Sequence, residues 1–158
     1  MSEQLHKRNL IVREALRAAG ISSDIVVLPD AAATAAAAAE AVGVDVGAIA
    51  NSLVFWSDDA PLLVMTSGAH RVDTTALATR LGRDSIRRAT AEQVKDATGQ
   101  VIGGVAPTGH PSPLTTVVDE SLAAFPEIWA AAGTPHTVFP LTFDELVRLT
   151  GGEIVAVG

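Results

Sequence analysis

Fourteen residues in the second half of the chain, Thr98 to Pro111, constrain its fold more than any other stretch. Six of the fourteen are Gly or Pro, so neither a helix nor a regular strand can run through them. Val101, Ile102 and Val105 are apolar and β-branched, so the stretch is no solvated linker either. Glycine permits φ > 0 and lets other groups approach the backbone closely, while Pro107 and Pro111 stiffen the exits. Two readings follow. The stretch is a tight turn between a helix and a strand, or a rigid small-residue loop presenting bare main-chain N–H groups to a ligand.

Such a loop needs a packed body on either side, and the composition supplies one. The chain of 158 residues is 48% hydrophobic and 18% charged, enough for a single domain, 1–158, around one core. With no cysteine, disulfides, thiolate chemistry and a Cys-zinc site are excluded. Met1 to Arg8 leads into a charged amphipathic helix rather than an apolar signal. The alanine run Ala31–Ala39 is broken by Thr34 and is too weak and short to span a bilayer. These features point to a soluble, cytoplasmic protein with no membrane partner. The net charge of −7 and pI near 4.9 argue against broad, unspecific nucleic-acid binding. Yet five of the 11 basic residues (Arg71, Arg80, Arg83, Arg87, Arg88) fall within eighteen positions. They form either a solvated helix face or a local phosphate-facing patch.

Periodicity and capping signals divide the chain into short elements. Leu5–Ala19 is apolar at helical spacing and stops at Gly20. Asp24–Leu28 reads as a strand. Thr34 caps a helix over Ala35–Val42 that Gly43 closes, and Asp45 caps a turn over Val46–Ile49. Ala50–Trp56 and Pro61–Thr66 read as a hairpin turned by Ser57-Asp58-Asp59-Ala60. Asp73 or Thr74 opens a helix to Gly82, and Ile86–Ala89 is a brief strand. Thr90-x-x-Gln93 is a capping box whose helix ends at Gly99. Leu114–Val118, Glu127–Ala132 and Thr137–Phe139 read as strands, the last stopped by Pro140. Thr142-x-x-Glu145 opens a helix to Leu149, and Glu153–Val157 closes the chain as a strand. Hairpins mixed with short helices, without a steady βαβ rhythm, predict a mixed α/β fold: a mixed sheet or small barrel with helices around it.

Common catalytic signatures are absent. There is no phosphate-loop or dinucleotide glycine pattern, and no Gly-x-Ser-x-Gly elbow. His6, His70, His110 and His136 are isolated from one another, without metal-ligand spacing. Neither metal nor cofactor is expected. Catalysis by such a chain works through positioning and hydrogen bonds, with water as the nucleophile.

Four segments carry a resemblance. They are Ile49-Ala50-Asn51-Ser52-Leu53-Val54-Phe55, Thr98–Pro107 with its Gly103-x-x-x-Pro107, Val117-Val118-Asp119, and Ala131-Ala132-Gly133-Thr134-Pro135-His136. In this order and spacing the chain, from Ala31 to Val157, resembles the YbaK/EbsC family, which is similar to the editing domain of bacterial prolyl-tRNA synthetases. The resemblance implies a central, mostly antiparallel, barrel-like sheet surrounded by helices. It implies trans-editing, in which the ester joining a wrongly attached amino acid to the 3′ end of a tRNA is hydrolysed. The partners it implies are aminoacylated tRNA, above all tRNA-Pro, and a prolyl-tRNA synthetase.

By the same resemblance Gly103, Asp119 and His136 are the candidate catalytic residues, with Asn51, Ser52, Gly104, Pro107 and Gly133 binding substrate. The Gly103–Pro107 loop would hold the ester against main-chain N–H groups, and Asp119 would border the pocket. Asp119 can equally cap the turn at Glu120-Ser121, and His136 can be an ordinary loop histidine. His70 and His110 are surface or rim residues, and Trp56 and Trp129 belong to the core or an interface. One position departs from the family: Asn51 stands in the Ile-x-Lys-Ser-Leu segment where the lysine belongs. Asparagine keeps a donor but loses the charge, and charge-assisted hydrogen bonds are roughly twice as strong. The alternative this opens is a binding module that recognises aminoacyl-tRNA, or a related small ligand, without turnover.

Overall fold

The computed structural model describes residues 5–29 and 34–158. Helix α1 (Lys7–Ala18) begins two residues later than its apolar spacing suggests, because His6 caps it and Asn9 Oδ1 accepts the His6 N–H at 2.8 Å. Strand β1 is only Val26–Val27. Helix α2 (Ala35–Val42) starts at the Thr34 cap and ends at Gly43, whose φ of 76° suits glycine alone. A 3-10 turn over Val46–Ala48, capped by Asp45, then leads into β2 (Ile49–Ser57).

Strands β2 and β3 (Ala60–Ser67) form the central hairpin, paired from Ala50↔Ser67 to Ser57↔Ala60. Its turn has two residues, not four: Asp58 and Asp59 both have positive φ, at 49° and 66°. That is the geometry matching the twist of the strands, and aspartate tolerates it. The Asp58 carboxylate also accepts the N–H groups of Asp84 and Ser85 at 3.3 and 3.1 Å, tying the loop before β4 (Ile86–Arg88) to the hairpin tip. That loop follows α3 (Thr74–Leu81). After β4 comes α4 (Ala91–Thr98), with the Thr90/Gln93 capping box in place.

Beyond the glycine-rich loop lie β5 (Thr115–Asp119), a 3-10 turn over Glu120–Ala124, β6 (Ile128–Ala131) and β7 (Thr137–Leu141). Strand β7 does not stop at Phe139; it runs through Pro140, which pairs with Trp129. Proline fits because β1 reaches only Val138 and Thr137 on that side of β7, so no ladder needs an N–H there. The Pro140 carbonyl instead accepts the Ser23 hydroxyl. Helix α5 (Phe143–Thr150) and strand β8 (Glu153–Val155) complete the chain.

The strands order as β1-β7-β6-β2-β3-β5-β8, with β4 branching from β2. Four pairings are antiparallel and three (β2·β6, β3·β5, β5·β8) parallel. Strand β3 is buried on both faces. Leu63 and Met65 join Val12, Leu16, Val94 and Leu146 on one side, while Leu62 and Val64 join Leu77, Val117 and Val157 on the other. A third apolar group, with Leu28, Ala38, Ile49 and Val138, packs α2 beside the β1–β7 end. The middle of this sheet is therefore rigid, and what happens at its edges decides where a ligand can enter.

Candidate active site

Strand β2 has one complete edge and one divided edge. On the complete side it pairs with β3. On the other, β6 covers only Ile49 and Ala50, and β4 covers only Phe55 to Ser57. Among the described residues, no strand lies beside 51–54 there. Main-chain groups alternate along a strand, and two bonds fix the phase. Ile49 O accepts the Gly68 N–H on the β3 side at 2.7 Å, and Val54 O accepts the Ala89 N–H on the divided side at 3.3 Å. The even-numbered residues thus point outward, leaving the N–H and C=O of Ser52 and the N–H of Val54 in the gap.

A cleft of about 300 Å³ opens at this gap. Its walls are Ile49–Val54 from β2, Arg88 at the end of β4 with Ala89 after it, Val94 from α4, Trp129 and Ala131 from β6, and Pro135, Thr137 and Val138 around β7. Ala35 and Ala38 of α2 close one end, and Ile102, Gly103 and Val105 face the strand edge. The lining is mostly small and apolar. Among the described residues its polar side chains are Thr34, Asn51, Ser52, Arg88 and Thr137, with the Trp129 indole, and of these only Arg88 carries a charge. A group of modest size fits such a space.

The glycine-rich loop faces the cleft because a buried side chain straps it. Gln100, 2% exposed, takes the Ala106 N–H on its Oε1 at 2.7 Å and donates from Nε2 to the Thr108 carbonyl at 3.2 Å. His110 adds a second strap, its Nε2 lying 2.8 Å from the Ala106 carbonyl. Burial pushes the His110 imidazole below its ordinary value of 6.5, with the Ala106 contact opposing, so the neutral ring is favoured. Within the loop, Gly104 N–H donates to Val101 O at 3.0 Å, and Gly103 has φ 89°. This is a type II turn with glycine where the turn requires it. The N–H groups of Gly103 and Val105 make no hydrogen bond among the described residues, and both residues line the cleft.

The two glycines differ in purpose. A Cβ on Gly103 would meet nothing, so its φ alone calls for glycine. A Cβ on Gly104 would stand 2.6 Å from the Thr134 carbonyl carbon, so Gly104 lets the loop press against the β6–β7 turn. Helix α1 fixes that turn from the other side. Asn9, 1% exposed, donates from Nδ2 to Ala132 O at 2.8 Å and to Thr137 Oγ1 at 2.9 Å.

The structure brings Asn51, Ser52 and Gly103 together on the cleft, with Gly104 directly behind. Asn51 is exposed, and the Ser52 hydroxyl donates to Met65 Sδ at 3.2 Å. Gly133 does not line the cleft: it has φ 105°, and a Cβ there would lie 3.0 Å from Arg8 O, so it accommodates α1. His136 sits between two cleft residues without lining the cleft. Its carbonyl accepts the Leu28 N–H at 2.7 Å, and its buried Nδ1 has no partner among the described residues. Pro107 borders a separate depression with Ala15, His110 and Leu114.

Asp119 also lies outside the cleft. It is 1% exposed at the end of β5. It accepts the N–H of Ser67 at 3.0 Å, the N–H and hydroxyl of Ser121 at 2.9 and 2.8 Å, and faces His70 Nδ1 at 3.2 Å. Burial pushes the carboxyl up, but the Ser67 and Ser121 donors and His70 together hold it below its ordinary 3.8. These contacts cap the following 3-10 turn and clasp the end of β3. The arginines divide likewise. Arg88 lines the cleft, Arg83 borders a different depression, Arg80 donates to the Ala156 carbonyl, and Arg87 reaches Arg88 O and Gln93.

Sequence reasoning missed Gln100 and Asn9. Each had a signal. Gln100 is the one long polar side chain within the small-residue loop before His110, and Asn9 shares its helix face with Val12 and Leu16. Among the described residues no cluster of three or more His, Asp or Glu could hold a metal ion, and no helix is long and apolar enough to cross a membrane.

Fold and site together define a mixed α/β domain with a small cleft between the divided edge of β2 and a glycine-rich main-chain loop. Comparison with known proteins names the class. Residues 29–149 match the aminoacyl-tRNA editing domain, and the chain belongs to that family. It is 30% identical to the uncharacterised protein YwhH of Bacillus subtilis over 133 residues, 84% of either chain. It is 33% identical to part of the proline–tRNA ligase of Latilactobacillus sakei, over 48% of this chain and 13% of the ligase. A solved structure presented as a candidate trans-editing enzyme for prolyl tRNA synthetase superposes with a TM-score of 0.91 at 39% identity, over 98% of both chains.

Proposed function

We propose that the chain is a trans-acting aminoacyl-tRNA deacylase that removes a small misattached amino acid, with tRNA-Pro as its carrier. The observation that carries this reading is that, among the described residues, the main-chain groups of Ser52, the Val54 N–H and the N–H groups of Gly103 and Val105 lack partners on walls of one small cleft whose lining holds a single charged side chain, Arg88. An ester carbonyl between them meets fixed donors and a space too small for a large side chain. Water attacks the carbonyl carbon, and the C=O electron pair moves to the oxygen, where the N–H groups of Gly103 and Val105 stabilise the developing charge. Collapse expels the ribose 3′ oxygen, which takes up the proton that the water gives up. Gly104 and Ser52 shape the two walls. Asp119 and Gly133 hold the surrounding elements, and His136 steadies the β6–β7 turn beside the cleft. A prolyl-tRNA synthetase is the natural source of the mischarged substrate.

Asn51 motivates a second reading, in which the same cleft binds an aminoacyl-tRNA end without turnover. One experiment decides between them: incubation with tRNA-Pro carrying Ala, Cys or Ser. The deacylase reading expects at least one ester to be lost faster than spontaneously. If none is, and an uncleavable aminoacyl-adenosine analogue still binds tightly, the second reading replaces it.

A further inference from the structure

An aminoacyl ester carries a charged amine as well as a carbonyl, and among the described residues the cleft lining holds no Asp or Glu to receive it. Side-chain oxygens are mostly engaged. The Ser52 hydroxyl points to Met65 Sδ, and Thr137 Oγ1 accepts from Asn9 at 2.9 Å. What remains among the described residues of the cleft wall is the divided edge of β2, and its pattern is specific. Ser52 offers one N–H and one C=O side by side, past the last β6 pair at Ala50↔Ala130 and before the first β4 pair at Phe55↔Arg88. In an antiparallel hydrogen-bonded pair, two facing residues exchange both of these bonds. An α-aminoacyl group has the same two complements on one carbon, a donor nitrogen and an acceptor carbonyl.

We propose that the aminoacyl group binds as a one-residue β-strand on Ser52, its ammonium on the Ser52 carbonyl and its carbonyl on the Ser52 N–H. This rests on the deacylase reading for the identity of the ligand. It adds that the site recognises the α-amino group itself, through main chain and not through a side chain. Added strands on a bare edge are bound in this way elsewhere, main chain supplying affinity and flanking pockets supplying selectivity. The ester carbonyl then lies between Ser52 N–H on one wall and the Gly103–Val105 donors on the other. The amino acid side chain projects away from the edge, toward the small residues that line the cleft.

The test uses matched pairs that differ only in the amine. The first pair is 3′-deoxy-3′-alanylamino-adenosine and its propionylamino counterpart, compared for binding. The second is alanyl- and propionyl-tRNA, compared for hydrolysis, each rate divided by that ester's spontaneous rate. Loss of a charge-assisted hydrogen bond predicts that the propionyl member binds, and is accelerated, roughly tenfold or more less well. An Asn51→Ala variant should keep that preference. Equal binding within the first pair, or no binding of either, overturns the proposal. A preference that vanishes in Asn51→Ala assigns the amine to the Asn51 side chain and also overturns it. Binding with the expected preference but no hydrolysis of either ester would leave Ser52 as the amine site and remove the deacylase reading instead.

Discussion

At the scale of single residues, glycines and one asparagine carry the account. Gly103 has φ 89° with open space where a Cβ would go, so Gly103→Ala meets no clash and is opposed only by backbone conformation, at roughly 1–2 kcal/mol. Relief of that strain turns the Gly103 N–H away. Deacylation should therefore fall by at least about tenfold while the thermal midpoint drops only a few degrees. Kinetics and melting of the one variant check both halves. Asn51 is exposed on the cleft rim, so a lysine there would not bury an unpaired charge. Asn51→Lys should raise deacylation by about tenfold at unchanged stability, given the roughly 1–1.5 kcal/mol separating neutral from charge-assisted hydrogen bonds. A slower enzyme with a lower midpoint would show instead a cleft built around asparagine.

At the scale of elements, one of the two side chains that strap the glycine-rich loop, His110, titrates. Burial lowers the His110 pKa from 6.5, so the unfolded chain binds a proton more readily than the native one. The stability tied to the neutral ring is complete above about pH 6.5 and is lost as pH falls through the lowered native value. Melting curves across this range should show the midpoint falling on the acid side of about pH 6.5, and His110→Gln, which cannot charge, should flatten that part of the profile. The elements themselves were largely legible. Thr34, Asp73, Thr90 and Thr142 with Gly43, Gly82, Gly99 and Gly151 bracket α2 to α5 as the caps foretold, because capping is local chemistry. The misses lay where a distant partner decides. Strand β7 runs through Pro140 because β1 ends early, and the Asp58-Asp59 turn tightens to match the twist of its hairpin.

At the scale of the whole molecule, the sequence could not show that β6 and β4 divide one edge of β2 between them. That division makes the cleft, and it is a matter of how far each neighbour extends, not of any residue's own preference. Asn51, Ser52 and Gly103, singled out in the sequence as candidates, lie on segments that line the cleft. Asp119 and Gly133 stood out equally in sequence, yet one clasps β3 and the other makes room for α1. Residues that pack tightly and residues that face a ligand share the same small, constrained chemistry, and only the fold separates them. The five clustered arginines scatter for the same reason, with Arg88 alone on the cleft. The central claim is that hydrolysis takes place in this cleft, and Ala131→Leu tests it most directly. Ala131 is a half-buried lining residue on β6, so three added carbons narrow the cleft without entering the core. The account predicts that the variant keeps its circular dichroism and melting midpoint within a few degrees, and that single-turnover deacylation of mischarged tRNA-Pro drops to the spontaneous rate. A folded Ala131→Leu protein that deacylates as fast as the parent would place the chemistry elsewhere.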